Sequence, residues 1–395
     1  MSQKAYVAGV GMIPFVKPGA SGSYIDMGAE ATRLALKDAG LDYNLVQHAY
    51  VGYVYGDSTC GQSALYEVGL SGIPVVNVNN NCSTGSSALW LARQAVESGA
   101  VECALALGFE QMQPGALKAQ WEDRPPVMGK GLAVTEQLCT DADEVPMALK
   151  MFGGAGREHM QKYGTQMRTF AAIRAKASRH AANNPLALFR KVVTTEDVMN
   201  DQVIWPGVMT RLMACPPTCG AAAAIICTES FARKHSLRTD VVILAQALTT
   251  DRSVAYDSGS MIQAVGFDMA QRAAREVYEK AGVDPHDIRV AELHDCFAHN
   301  ELLTYESLGF CPVGGAERFI LDGDNTYGGQ VVTNPSGGLL SKGHPLGATG
   351  LAQCYELTHQ LRGTAEARQV EDVNLALQHN LGLGGACVVT LYGRA

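Results

Sequence analysis

Residues 75–85 read VVNVNNNCSTG, an apolar β-branched run that passes through a small polar turn into a helical pattern. The first four residues predict a short strand, and residues 86–97 predict a helix, so Cys82 lies at a strand-to-helix junction. Similar alternation continues on both sides of this stretch, with strands predicted at residues 6–10, 48–53 and 102–108 and a helix at 27–39. Such alternation is typical of an α/β protein with a parallel sheet covered by helices.

The second half of the chain repeats features of the first half. Ala-Gly-Leu-Asp at residues 39–42 has a counterpart 242 residues later, Ala-Gly-Val-Asp at 281–284. Cys82 and the three residues after it have a counterpart at a shift of 262, His-Pro-Leu-Gly beginning at His344. We therefore predict two similar α/β halves, with Cys82 and His344 at equivalent strand-to-helix junctions.

The regular alternation stops for a long stretch between these repeats. We predict an N-terminal half from residues 1–112 and 206–237, an inserted loop domain at 113–205, and a C-terminal half at 238–395. The insertion contains a basic helical stretch. Its cationic residues either face a phosphorylated ligand or form a solvated helix face, and they are Lys162, Arg168, Arg174, Lys176 and Arg179.

Composition excludes several classes of protein. The net charge of −8 at pH 7 argues against nucleic-acid binding, and no apolar run reaches the roughly 20 residues that span a bilayer. The chain starts without a secretory pattern and ends Tyr-Gly-Arg-Ala, unlike a peroxisomal address, so we expect a cytoplasmic protein. The eleven cysteines predict reduced thiols. Cys215 and Cys219 lack a second ligand pair, so we predict no metal site.

Four segments contain residues with the chemistry of a catalytic site. Helix N-termini expose unpaired N–H groups that stabilise a thiolate, so Cys82 is either a nucleophile or a buried small residue. His344 precedes a proline and a glycine-lined turn, where an imidazole can act as a base. His294 and Cys296 follow a predicted strand at residues 289–293, and positions two apart share a face. Residues 378–386 form a glycine-rich loop, which is either a ligand contact or a plain turn.

Together these motifs resemble the thiolase superfamily, specifically the SCP2-thiolase type, the thiolase part of sterol carrier protein X. The resemblance extends from about residue 5 to residue 393. It rests on four ordered blocks: VGYVYGDSTCG at 51–61, VNVNNNC at 76–82, NPSGG at 334–338 and GHPLGATG at 343–350.

The resemblance implies a fold and a reaction. The fold is a layered αβαβα arrangement of two βαβαβ halves. The reaction is thiolytic cleavage of a 3-oxoacyl-CoA by CoA, as in fatty acid β-oxidation, giving acetyl-CoA or propionyl-CoA and a shortened acyl-CoA. CoA is then a substrate, with no bound cofactor and no metal. A homodimer or a dimer of dimers is implied as well.

The resemblance also implies a role for each site residue. Cys82 is the acylated nucleophile, and His344 activates it and helps to bind the thioester oxygen. The usual acid/base cysteine is missing from the loop that starts at Asn380, so Cys296 takes this role and His294 contributes to one oxyanion hole. Backbone N–H groups of Cys82 and Gly384 form the second hole.

Two other functions remain open at this point. One is a retro-aldolase of steroid side-chain degradation that works with a small OB-fold partner; we expect such proteins to lack the reactive cysteines. The other is a non-catalytic acyl-CoA or lipid-binding protein. The chain ends after the thiolase part, so we expect it to lack the lipid-carrier domain of the fused protein.

Overall fold

The computed structural model describes residues 3–115, 121 and 123–395. The strands are β1 Ala5–Met12, β2 His48–Gly52, β3 Val75–Val78, β4 Cys103–Glu110, β5 Val203–Trp205, β6 Met209–Thr210, β7 Gly220–Cys227, β8 Val241–Thr249, β9 Val290–Glu292, β10 Val332–Thr333, β11 Leu375–Gly382 and β12 Ala386–Arg394. The helices are α1 Tyr24–Ala39, α2 Cys60–Tyr66, α3 Thr84–Glu97, α4 Gly129–Leu138, α5 Met147–Tyr163, α6 Met167–Ala181, α7 Thr195–Met199, α8 Glu229–His235, α9 Val254–Asp257, α10 Met261–Ala264, α11 Phe267–Ala281, α12 Ala298–Ser307, α13 Ala316–Leu321, α14 Gly338–Ser341 and α15 Thr349–Arg362.

The predicted duplication is visible in the order of the strands. The first half-sheet runs β3-β2-β4-β7-β1 and the second runs β10-β9-β11-β12-β8. The pairings correspond strand by strand: β2 lies parallel to β3 and β4, as β9 lies parallel to β10 and β11, whereas β7 and β12 are antiparallel to their neighbours. The sheet is therefore mixed rather than fully parallel.

A short seam joins the two half-sheets. Strand β1 pairs with β8 through Ala5 opposite Ile243 and Tyr6 opposite Val242. Helices α3 and α15 pack against each other and contact strands of both halves, whereas α1 packs on the first half-sheet and α11 on the second. The layers are thus helix, sheet, helix, sheet, helix, and the prediction of two similar α/β halves is confirmed.

The central helices correspond at a different shift from the predicted one. Thr349-Gly350 begins α15 as Thr84-Gly85 begins α3, so these helix starts differ by 265 residues rather than 262. A Cβ on Gly85 would lie 2.7 Å from the Gly347 carbonyl oxygen, and one on Gly350 would lie 2.1 Å from Ser86 Oγ. The two glycines therefore allow the helix starts to meet at the centre of the molecule.

Helices α4 to α7 lie between β4 and β7, in the region predicted as an insertion. Residues 1–2, 116–120 and 122 of the predicted domains lie outside the described residues, and the domain boundaries stay a prediction.

Both interpretations of the basic stretch, a ligand-facing surface and a solvated helix face, are wrong for two of its residues, because Arg174 and Lys176 are buried. Lys176 forms an ion pair with Glu301, and Arg174 donates to Ser341 Oγ at 2.6 Å.

Within the described ranges no helix combines the length and the apolar character that a membrane crossing requires.

Candidate active site

Cys82 lies between the end of β3 and the start of α3, as predicted, and its residue is 7% exposed. The preceding residue, Asn81, has a φ of 52°, a left-handed conformation that asparagine tolerates better than most residues. Its side-chain Nδ2 donates to the Leu383 carbonyl at 2.9 Å. The junction is therefore attached to the loop between β11 and β12.

His344 lies in the turn before α15, with its backbone N–H donating to Thr218 Oγ1 at 3.0 Å. The Thr349 hydroxyl donates to the Pro345 carbonyl at 3.0 Å, so its oxygen accepts from His344 Nδ1 at 2.7 Å. Nδ1 therefore carries the ring proton, and Nε2 presents a lone pair. Nε2 is buried and has no hydrogen-bond partner among the described residues. Burial, with Lys342 nearby, lowers the pKa of His344 to about 3, so the imidazole is neutral.

His294 has the opposite tautomer, which Asn380 determines. Asn380 Nδ2 donates to the Cys82 carbonyl at 3.1 Å and also faces His294 Nδ1 at 3.1 Å, while Ser86 Oγ donates to Asn380 Oδ1 at 2.8 Å. The amide nitrogen thus donates to Nδ1, and the neutral ring carries its proton on Nε2. Burial, followed by His344 and His379, holds the pKa of His294 well below its usual range.

Three of the predicted residues meet. Cys82 Sγ and one ring nitrogen from each of His294 and His344 all lie within 4.8 Å of one another. One soft and two nitrogen donors at this spacing would suit a zinc ion. For His294 to bind a metal through Nε2, however, its proton would have to move to Nδ1, which would break the hydrogen bond from Asn380. The hydrogen bonds of the site therefore suit a thiol with hydrogen-bonding partners better than a metal.

His294, Asp295 and Cys296 lie beyond their strand, because β9 ends at Glu292. The prediction that positions two apart share a strand face therefore does not apply to them. Asp295 points into the structure and accepts from the N–H groups of Leu339 at 2.7 Å and Leu340 at 3.3 Å.

Cys296 and Cys215 are neighbours in the structure. The Cys215 N–H donates to the Cys296 carbonyl at 2.9 Å. Burial raises the pKa of Cys296 well above that of an ordinary thiol, and Cys215 and Cys82 raise it further. Cys82 is thus close enough to Cys296 to raise its pKa, although Cys296 is outside the 4.8 Å cluster.

The expected thiolate is not the resting form of Cys82. Burial raises the pKa of the Cys82 thiol to about 12, Glu110 raises it as well, and the N–H groups of Cys82 and Leu383 act in the opposite direction. The helix start does not stabilise a thiolate as expected, because Cys82 is buried and lies one residue before Ser83, the N-cap of α3. The resting pair is a neutral thiol beside a neutral imidazole.

The glycine-rich loop approaches Cys82 through a residue other than the predicted one. The backbone N–H of Leu383 faces Cys82, whereas Gly384 is exposed and has a φ of 93°. The role of the Gly384 N–H stays a prediction.

A cleft of about 340 Å³ borders Gly384 and is lined also by Val127, Met128, Lys130, Met151 and Tyr256. A group entering this cleft reaches the loop that faces the thiol.

The match to protein families follows the two halves. A model described as the N-terminal domain of thiolase matches residues 5–230, and one described as thiolase C-terminal domain-like matches residues 253–392. The chain belongs to the thiolase family. Membership supports an acyltransferase-type enzyme.

The relatives of this thiolase include proteins of the sterol carrier type. It is 54% identical to "Sterol carrier protein 2" of Oryctolagus cuniculus over 98% of this chain and 72% of that protein. It is 45% identical to "Non-specific lipid-transfer protein-like 2" of Caenorhabditis elegans over 98% of this chain and 96% of that protein. The SCP2-thiolase resemblance is therefore confirmed.

Two solved structures share the thiolase fold at low sequence identity. The "Ltp2-ChsH2(DUF35) aldolase" superposes with a TM-score of 0.83 at 23% identity, over 100% of this thiolase and 98% of that chain. Human mitochondrial 3-ketoacyl-CoA thiolase superposes with a TM-score of 0.73 at 17% identity, over 100% and 99%. At these identities the likeness concerns architecture alone.

Sequence reasoning missed three residues that define the site. Asn380 stands at the head of the loop where a cysteine was expected, and that substitution was its only signal. Thr349 follows the His-Pro motif by four residues and reads as an ordinary helix start. Glu110 ends β4 and is fully buried beside the site.

Proposed function

We propose that this protein cleaves 3-oxoacyl-CoA with free CoA through an acyl-cysteine intermediate on Cys82. The observation that carries the proposal is the convergence of Cys82 Sγ with one ring nitrogen each of His294 and His344. A thiol beside a neutral imidazole can transfer its proton as it attacks, which activates the nucleophile without a standing thiolate.

In the first half of the reaction, the Cys82 thiol gives its proton to His344 Nε2 while Sγ attacks the 3-oxo carbon. Backbone N–H groups at Cys82 and in the loop at residues 383–384 stabilise the resulting oxyanion. The Cα–Cβ bond then breaks and leaves an acyl group on Cys82. The departing enolate places its thioester oxygen near His294 Nε2–H, and His344 assists there once it holds the proton.

Cys296 completes the proposed cycle as acid and base. Its thiol protonates the enolate carbon, which releases acetyl-CoA or propionyl-CoA. Because burial raises the pKa of Cys296, the thiolate left behind is a strong base toward the incoming CoA thiol. The CoA sulfur then attacks the acyl-Cys82 thioester, and the Cys82 sulfur leaves and takes its proton back from His344.

Substitution of the two cysteines tests the proposal. After mixing with acetoacetyl-CoA, the mass of the peptide containing Cys82 should increase by one acetyl group, and Cys82→Ala should abolish both labelling and CoA-dependent turnover. Cys296→Ala should retain labelling but lose steady-state turnover. Cys387→Ala, at a buried position in β12, is the matched control. Full activity of Cys296→Ala would contradict the acid/base assignment.

The same experiment separates the two alternatives. The aldolase whose fold this chain shares makes a retro-aldol reaction the second candidate, and such a reaction would require no acylation of Cys82 and would give an aldehyde or ketone from a 3-hydroxyacyl-CoA. An OB-fold partner would then have to be added for activity. A non-catalytic acyl-CoA or lipid-binding protein would bind acyl-CoA without any labelling.

We also propose that the protein forms a homodimer, the smaller of the two assemblies that the family resemblance implies, and that the open edge of β3 is its interface. Strand β3 pairs only with β2 in the described part of the sheet, so its other edge is open. Nearby Tyr66, Leu70 and Val76 are 57%, 80% and 46% exposed. Light scattering should give twice the chain mass for the wild type and the monomer mass for Leu70→Asp with Val76→Lys. Substitution of exposed Leu321 to Asp is the control.

A further inference from the structure

Glu110 is a buried carboxylate that connects the two turns around the nucleophile. Its Oε2 accepts from the N–H groups of Val54 at 3.1 Å and Gly347 at 3.0 Å, and its Oε1 accepts from the N–H of Tyr55 at 2.9 Å. Val54 and Tyr55 follow β2 in the first half. Gly347 belongs to the turn that begins at His344 in the second half. One side chain thus joins both halves beside Cys82.

The three donors are matched best by an ionised acceptor. Two carboxylate oxygens offer about four lone-pair positions and accept three N–H groups without conflict. Protonation turns one oxygen into a hydroxyl, a poorer acceptor with a proton of its own to place, and weakens the hydrogen bond made there. Glutamine replaces one oxygen by an NH2 group, which has two donors and accepts nothing, so one of the three hydrogen bonds is lost and a buried N–H is left unpaired.

No cationic side chain of the described residues forms a salt bridge with Glu110, which is unusual for a fully buried carboxylate. The titratable groups that face it are Tyr55 after β2, Cys82 after β3 and Cys219 before β7. Burial raises the pKa of each of these groups, so all three are neutral near pH 7. Ion pairing therefore does not explain the position of Glu110.

We propose that Glu110 is a positioning residue: its ionised form holds the turn containing His344 against the Cys82 junction. Protonation of Glu110 weakens one backbone hydrogen bond of this connection and loosens the alignment of base and thiol. Burial raises the pKa of Glu110 to about 7, and the three N–H groups act in the opposite direction. The connection is therefore complete above neutral pH and weakens as the pH falls below 7.

Hydrogen exchange tests the connection without any substrate. In the wild type, peptides covering residues 53–56 and 343–348 should lose protection between pH 8 and pH 6, after correction for intrinsic exchange. In Glu110→Gln one of these peptides should exchange about ten-fold faster or more at pH 8, and the pH step should be absent. Glu306→Gln is the matched control, because buried Glu306 also accepts two backbone N–H groups, from Gly314 and Ala316, away from the site. Unchanged protection in Glu110→Gln, or a wild type without the pH step, would refute the connection.

The functional part of the inference rests on the proposed acylation of Cys82 and has its own measurement. Single-turnover acylation by acetoacetyl-CoA should be about 100-fold slower in Glu110→Gln and should lose the wild-type fall below pH 7. Glu306→Gln should acylate at the wild-type rate and keep that pH dependence. Faster exchange in Glu110→Gln with unaltered acylation would overturn the positioning role. If the wild type itself is not acylated, the proposed function fails, whereas the exchange experiment still decides whether Glu110 joins the turns.

Discussion

The rings of His294 and His344 pack edge to face, with ring centroids 5.0 Å apart and ring planes at 81°. They come from different segments of the C-terminal half, and their neighbours give them opposite tautomers. His344 presents a lone pair and His294 presents an N–H. One histidine is thus suited to accept a proton and the other to hold a developing negative charge, and this difference leads to two predictions.

The tautomer of His344 depends on the Thr349 hydroxyl. Thr349→Val keeps the shape of the side chain but removes the acceptor for Nδ1–H, so the ring loses both its orientation and its preferred tautomer. We expect acylation of Cys82 to slow by about 10- to 100-fold, measured by quenched-flow mass spectrometry. Thr358→Val on the same helix is the control and should acylate at the wild-type rate. Equal rates for the two variants would contradict the role of Thr349.

The tautomer of His294 depends on Asn380. Asn380→Asp replaces the donor by an acceptor, so Nδ1 of His294 would take the proton and Nε2 would turn a lone pair toward the substrate oxygen. We expect kcat to fall by about 10²- to 10³-fold, as for loss of an oxyanion-hole donor. Asn374→Asp, an exposed position just before the same strand, should leave kcat unchanged. A fall in Asn374→Asp of similar size would remove the support for this assignment.

Buried neutral histidines should make the folding stability depend on pH. Burial lowers the pKa of His180, His344 and His379 to about 3 and of His299 to about 4. A lowered pKa means that the unfolded chain binds more protons, so stability is full above about pH 6.5 and declines below it. Each histidine should remove about 1.4 kcal/mol of unfolding free energy per pH unit.

Glu110 and Asp295 act in the opposite sense, because burial raises the pKa of these carboxyls to about 7 and about 8. Burial also lowers the pKa of His294 and His359 and raises the pKa of Glu97 and Glu356. With six histidines against four carboxyls, the melting temperature should still fall from pH 6.5 to pH 4.5. His180→Gln should reduce this slope, and substitution of exposed His286 to Gln should not. A melting temperature that rises over this interval would show that the carboxyls dominate.

The buried ion pair of Lys176 and Glu301 should be needed for stability. Lys176 Nζ also donates to Thr333 Oγ1 at 2.5 Å and Tyr305 Oη at 3.1 Å. Lys176→Met leaves Glu301 as a buried charge without its partner and should destabilise the fold by about 3–5 kcal/mol in urea unfolding. Lys176→Met combined with Glu301→Gln should recover part of this loss. Additive losses in the double variant would argue against coupling.

Sequence alone predicted the duplication well, because strands, helix ends and the Asp caps recur in both halves. Gly40 and Gly282 both end a helix in the left-handed conformation, and Asp42 and Asp284 both cap the short turn that follows. The predicted sequence shift between the central helices, 262, was wrong by three residues, because the turn from His344 to α15 is three residues longer than the one from Cys82 to α3. Local pattern cannot measure the length of an irregular turn.

The predicted residues Cys82, His294 and His344 converge, yet their protonation states could not be read from the sequence. Asn380 and Glu110 act through contacts between segments far apart in the chain, whereas Thr349 acts on His344 within one irregular turn. The pKa of Cys82 depends on burial by several such segments at once, whereas its sequence context suggested only a helix start. Short motifs identify which groups meet, and long-range packing determines which of them holds a proton.

The duplicated architecture has one consequence for the origin of the site. Cys82 belongs to the first repeat, whereas His294, Cys296 and His344 belong to the second. A protein made of one repeat would have the nucleophilic thiol of Cys82 or the two imidazoles, never both. The second half therefore does more than enlarge the core: because the two halves differ at equivalent positions, together they supply both a proton donor and a proton acceptor.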